Sequence, residues 1–190
     1  MRPFLYYLFH MQRYDFTPLT TERLMLRQPQ MRDSENMFAL RTSKEVNKYL
    51  DRPVPNSVEE IELFINKLNQ GISNNESLYW VITYKDSSDL IGTICCWNIS
   101  VENNTAEVGF ELLPAFQGKG IMQEALAKVI EFGFQNLHFH TLEAWTHKDN
   151  LPSQKLLEKN NFVRDKDREE KIAGDEELVD TIIYSLINAV

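Results

Sequence analysis

Neither a long apolar run nor an excess of positive charge occurs in this chain of 190 residues. Each absence removes a class of function. No stretch approaches the roughly 20 apolar residues a spanning helix needs, so no membrane role is expected. Lys and Arg number 20 against 28 Asp and Glu, a formal charge of −8 with a pI near 5.1. That balance argues against nucleic-acid binding, because phosphate contacts need a basic face. It suits solubility and at most a weak attraction for cationic amines. Cysteine is nearly absent. Cys95 and Cys96 are neighbours in an apolar run, unable to staple the fold or to make a four-ligand metal site with each other. They suggest buried packing in a reducing, cytoplasmic setting, with a reactive thiol a distant second. His10, His138, His140 and His147 stand at no recognisable ligand spacing, so no metal is expected.

What is present is a globular composition, 43% hydrophobic and 25% charged, of a length that suits one domain. Residues 1–16 contain a short apolar run, Phe4 to Phe9, without the length or cleavage site of a signal peptide. They read as an N-terminal extension that packs on the domain or pairs with a second copy, and Met11 is an equally good start. Residues 17–190 are the expected single domain, a monomer or homodimer. Leu24 and Leu26 alternate with Met25 and Arg27 as in a strand. Asp33 or Ser34 should cap a helix carrying Met37, Phe38 and Leu40. Ser43 should open another with Val46, Tyr49 and Leu50. Ser57 with Glu60 predicts a capping box before Ile61, Phe64, Ile65 and Leu68. Residues 78–84 and 90–97 read as a β-hairpin, followed by a strand at 105–113, a helix, and a strand at 141–146 that the intervening helix allows to be parallel. A helix over 152–160 precedes a closing hairpin, 162–169 with 178–186, turning at Ala173-Gly174-Asp175.

The most informative stretch is Thr105 to Leu137. Ala106, Val108, Phe110 and Leu112 alternate with Glu107, Gly109 and Glu111, the period of a half-buried strand, which Pro114 ends. Ile121, Ala125, Val129, Ile130, Gly133 and Leu137 then recur at helical spacing, so a helix is expected to begin at or just after Gly118. Gln117-Gly118-Lys119-Gly120 at its start supplies free backbone N–H groups and the positive end of the helix dipole, a seat for an anion and best for a phosphate. No Ser or Thr follows Lys119, which disfavours ATP and GTP, and Gln123 stands where a dinucleotide fingerprint needs glycine. Alone, Gly-x-Gly is a weak signal that a tight turn into a core helix explains better, and it is the context that raises its weight.

GFELLPAFQGKGIMQEAL resembles the acyl-CoA-binding motif of the GNAT superfamily of N-acetyltransferases: Gln117 and Gly120 match its pattern, and Met122 stands at its last position. Asn150-Leu151-Pro152-Ser153 leading into KLLEKNNF resembles the RimJ/RimL-type branch, with Asn161 in place of a helix-ending glycine, the next best residue for a left-handed turn. The likeness covers roughly Thr20 to Ile187. It implies an α+β fold, a mixed and mostly antiparallel sheet of about seven strands with helices on both faces. It also implies acetyl-CoA as co-substrate. Leu112 and Leu113 would then present backbone groups to the pantetheine beside a splayed neighbouring strand, while Gln117, Gly118, Lys119, Gly120, Ile121 and Met122 hold the pyrophosphate.

Direct acetyl transfer to a primary amine needs a base, a donor for the carbonyl oxygen and a proton for the leaving thiolate. Glu107 and Glu111 share a strand face and are both candidate bases, Glu107 being preferred for its likeness to the acidic residue of many relatives; ordinary solvated glutamates would show the same pattern. A strand N–H near Phe110 or Leu112 would serve the oxygen. The helix after the fifth strand lacks the tyrosine many relatives use, leaving Ser153 as the proton donor and Asn150 as a pantetheine contact; helix capping alone also explains both. The branch resemblance implies a protein N-terminal amine as acceptor, with a polyamine or antibiotic, or a silent acyl-CoA-binding module, as alternatives.

Overall fold

The computed structural model describes residues 16–172, 178 and 180–189. Eight strands form one sheet in the order β1-β2-β3-β4-β5-β6-β8-β7. They are β1 (Leu19–Thr20), β2 (Leu24–Arg27), β3 (Leu78–Tyr84), β4 (Gly92–Ser100), β5 (Thr105–Leu112), β6 (Thr141–His147), β7 (Val163–Arg164) and β8 (Thr181–Ile187). All neighbours are antiparallel except β5 and β6, which the long helix between them makes parallel. Helices α1 (Ser34–Thr42) and α2 (Val58–Ser73) cover one face, and α3 (Ile121–Gln135) and α4 (Leu151–Lys159) the other. A short α5 (Lys166–Ile172) follows β7.

Alternation along the strands divides the apolar residues between two cores. Leu24, Leu26, Trp80, Ile82, Ile94, Val108 and Leu142 meet α3 and α4, while Tyr79 and Val81 meet Met37, Leu40, Ile61 and Ile65 of α1 and α2. The expected N-terminal extension lies outside the described residues except for Phe16, whose ring packs 5.7 Å from Trp80.

Several local expectations are corrected. Asp33 stands at the N-cap of α1 but its buried carboxylate binds the partly buried Arg27 and the Gln30 N–H instead. The segment after Ser43 is a single 3-10 turn, Val46–Tyr49, rather than a helix. Ser57 makes no cap bond, and Glu60 takes the N–H of Asn56, so the capping box does not close. Helix α3 starts at Ile121, later than expected, because Gly118 and Gly120 have φ of +72° and +73° and cannot be helical. After Val163–Arg164 the chain is helical over 166–172 where a strand was expected, so the last hairpin pairs only two residues; the expected turn at 173–175 lies outside the described residues. Asn161, by contrast, takes the left-handed conformation anticipated for it, φ 64°.

Candidate active site

Leu113 closes β5 by donating its N–H to Ile91, and Pro114–Phe116 form a 3-10 turn. Among the described residues, the N–H groups of Gly118, Lys119, Gly120, Ile121, Met122 and Gln123 have no acceptor, while Glu124 is the first of α3 to bond back, to Gly120. These donors gather at the positive end of a 15-residue helix, a fit for a phosphate. The side chains around them are oriented by the fold. Gln117 Nε2 donates to the Leu112 carbonyl at 3.0 Å, and Lys119 Nζ to the Ala115 carbonyl at 2.8 Å. Arg23 was not singled out from sequence, since an isolated arginine before a strand gives no motif. Its Nε donates to Glu124, its Nη1 to the Lys119 carbonyl, and Nη2 would lie 3.5 Å from a Cβ at Gly120. A second cation therefore flanks the loop.

Between β5 and β6 the sheet opens. They pair only from Thr105↔Thr141 to Glu107↔Glu143, although β5 runs on to Leu112 and β6 to His147. Leu113 bonds Ile91 of the β3–β4 connection and Asn104 accepts from the β6 side, so by strand alternation Phe110 and Leu112 point their N–H groups into the gap. The Leu113 N–H goes to Ile91 and its carbonyl accepts one bond from Phe116, which leaves that oxygen a second lone pair.

The gap closes where the β5–β6 pairing begins, at Glu107. Glu107 occupies the last paired position, beside Glu143 on β6 and across from Trp97 on β4. Burial pushes its carboxyl above the usual carboxylate range and Glu143 adds to this, while the Asn98 amide, donating at 3.0 Å, opposes it. Glu143 is itself paired with Arg168 of α5, whose guanidinium lies 5.9 Å from the Trp145 ring centroid. The Trp145 Nε1 is buried without an acceptor among the described residues. Glu111 is situated differently: Arg52 grips both of its oxygens, and each side chain is about one-sixth exposed. Sequence reasoning did not find Arg52 because it reaches Glu111 from 59 positions away.

Asn150 caps α4, its Oδ1 accepting from the Ser153 N–H at 3.3 Å. The Ser153 hydroxyl has no partner among the described residues. The two cysteines are unpaired, and burial pushes the Cys95 thiol up to about 12 and raises Cys96 as well, which makes both poor nucleophiles. Among the described residues no group of His, Cys, Asp and Glu could hold a metal, and no helix is long and apolar enough to cross a membrane.

The chain thus carries a loop of free N–H groups before α3, an opened parallel pair and a partly buried carboxylate at its closed end, and comparison with known proteins gives its family. The family model described as "Acetyltransferase (GNAT) domain" matches residues 23–163, and the chain belongs to that family. The uncharacterised N-acetyltransferase p20 of Bacillus licheniformis is 33% identical over 175 residues, covering 89% of this chain and 95% of its own. Among solved structures, the microcin C7 self-immunity acetyltransferase MccE in complex with acetyl-CoA and AMP has a TM-score of 0.73 at 24% identity, covering 88% and 93% of the two chains. RimL, a ribosomal L7/L12 alpha-N-protein acetyltransferase in complex with coenzyme A, has a TM-score of 0.76 at 18% identity, covering 90% and 98%. The protein is an acetyl-CoA-dependent N-acetyltransferase with the mixed α+β sheet of its family.

Proposed function

We propose that the acceptor is the N-terminal amine of a protein and that Glu107 is the base for direct transfer in a ternary complex. The observation that carries the assignment of the base is the different state of the two carboxylates on one strand face. Glu111 is consumed by a two-point grip from Arg52, whereas Glu107 stands at the closed end of the gap with a raised pKa and no cation bonded to it among the described residues. Bound acetyl-CoA supplies the activated acyl carbon. The amine nitrogen forms its bond to that carbon as the carbon–sulfur bond breaks; the ammonium proton passes to Glu107, directly or through water, and the thiolate takes a proton. Phe110 and Leu112 N–H groups would stabilise negative charge on the carbonyl oxygen in a dry cleft. The Ser153 hydroxyl, unpartnered and at the start of α4, is our choice for the thiolate proton, with Asn150 fixing that turn.

The loop from Gln117 to Met122 and Leu112 would hold the co-substrate, and two reduced cysteines accord with action in the cytoplasm. The N-terminal acceptor rests on likeness in fold to RimL and on the branch resemblance around Asn150–Ser153; likeness to MccE, a microcin C7 self-immunity acetyltransferase, keeps an antibiotic, or another small amine, as the second reading. Turnover of acetyl-CoA over peptides with free or blocked N-termini, polyamines and aminoglycosides decides between them. CoA thiol release with free-N-terminal peptides, and mass spectrometry placing the acetyl group on the α-amine, is the expected result. Release with small amines alone would overturn the acceptor, and CoA binding without thiol release from any amine would overturn catalysis.

A further inference from the structure

A second charged cluster lies on the strand face that carries Glu107, four residues along β5. Arg52 donates from both terminal nitrogens to Glu111 and from Nε to Asn47 Oδ1 at 3.0 Å. Asn47 Nδ2 donates to the carbonyl of Arg41 at 2.6 Å, so one side chain ties the end of α1 to the Arg52 guanidinium. The Arg41 guanidinium lies 4.2 Å from the centroid of the Phe64 ring, and that ring meets Tyr79 of β3 edge-on at 6.4 Å. Burial and the nearby Arg52 charge lower the Arg41 pKa, with Glu111 and Tyr79 acting against them. Among the described residues no carboxylate is hydrogen-bonded to Arg41. Two guanidinium groups thus stand near one carboxylate that is bonded to Arg52 alone, in a protein whose formal charge is −8.

A partly desolvated guanidinium with open N–H groups matches a carboxylate in geometry and charge. Its place near Glu111, four residues along β5 from the proposed base, selects among acceptors. Glu107 and Glu111 are four residues apart on one strand, which is about 13 Å at roughly 3.3 Å per residue. An α-amino acid carries amine and carboxylate on one carbon and cannot span that separation, and a polyamine has no anion to offer. An extended peptide advances about 3.4 Å per residue, so a carboxylate on its third or fourth residue reaches the cluster when its amine is at Glu107. Resting on the N-terminal reading above, we propose that Arg41, held beside the Arg52–Glu111 pair, anchors the acceptor by an acidic side chain and selects peptides with Asp or Glu at the third or fourth residue.

The test is kcat/KM for peptides that differ only at those two positions, Glu, Gln or Lys, with wild type, Arg41→Gln and Arg41→Lys. CoA-induced thermal stabilisation serves as the check that each variant is folded. Wild type should favour Glu over Gln by about tenfold, the worth of one charge-assisted hydrogen bond. The ratio should fall with added salt, approach unity in Arg41→Gln and recover in part in Arg41→Lys. Equal rates for Glu and Gln peptides in wild type would overturn the proposal whatever the variants do, as would a ratio that survives in folded Arg41→Gln. If no peptide is acetylated while small amines are, the N-terminal reading fails and this proposal with it, a result distinct from indiscriminate acetylation of peptides.

Discussion

Glu107 bears opposing demands from stability and chemistry. Because burial raises its pKa in the folded protein, its contribution to stability is complete below the unfolded-state value and is lost as pH rises through the folded one. Glu107→Gln keeps an acceptor for Asn98 while removing the charge, so it should raise the melting temperature at neutral pH, with the difference vanishing in acid. The same substitution should lower kcat/KM most near neutrality and less in alkali, where the amine deprotonates without help. Wild type should lose activity on acidification above the range of an ordinary carboxylate. Paired melting curves and pH–rate profiles measure both; a stability gain without the pH-dependent rate deficit would make Glu107 a merely buried residue. The two glutamates were indistinguishable by spacing alone, since period two puts both on one face. What separates them is Arg52, brought in by tertiary contact, and no local pattern encodes that.

At the scale of elements, the loop before α3 was legible because its chemistry is local: two glycines, a helix start and a preceding proline lie within eight residues. The same locality explains the misplaced helix start, since sequence showed glycines but not that both have positive φ. Gly120→Val should reduce or abolish the thermal stabilisation by CoA, because a β-branched residue resists that φ and crowds the free N–H groups. Gly118→Ala has open space around its Cβ and only the backbone strain to bear, so it should lose less. Thermal shift with CoA, against ATP and NAD as controls, measures this; an unchanged CoA shift in Gly120→Val would remove the loop from the site. The segment after Val163 was misread because alternating charged residues suit either an edge strand or a short helix. Arg164 and Arg168 decide it here by pairing with Glu169 and Glu143.

For the whole molecule, alternation and helix periodicity gave the sheet and its two faces, since each core draws on one parity of strand residues. The antiparallel run of β3, β4 and β5 and a parallel β6 were legible too, since these strands follow one another along the chain; the extent of each pairing and the place of β8 between β6 and β7 were not, because those depend on contacts far apart in sequence. The opening between β5 and β6 leaves three register pairs joining the first five strands to the last three, backed by packing of α3 and α4. Amide hydrogen exchange should record this directly in the free protein. Along β5, Phe110 and Leu112 should exchange fast while their neighbours Gly109 and Glu111, bonded to β4, exchange slowly, giving protection that alternates residue by residue within one strand. Saturating CoA should erase the alternation and slow exchange through β6 and β8, so that the co-substrate behaves as a missing strand and couples two independently breathing portions of the sheet into one cooperative unit.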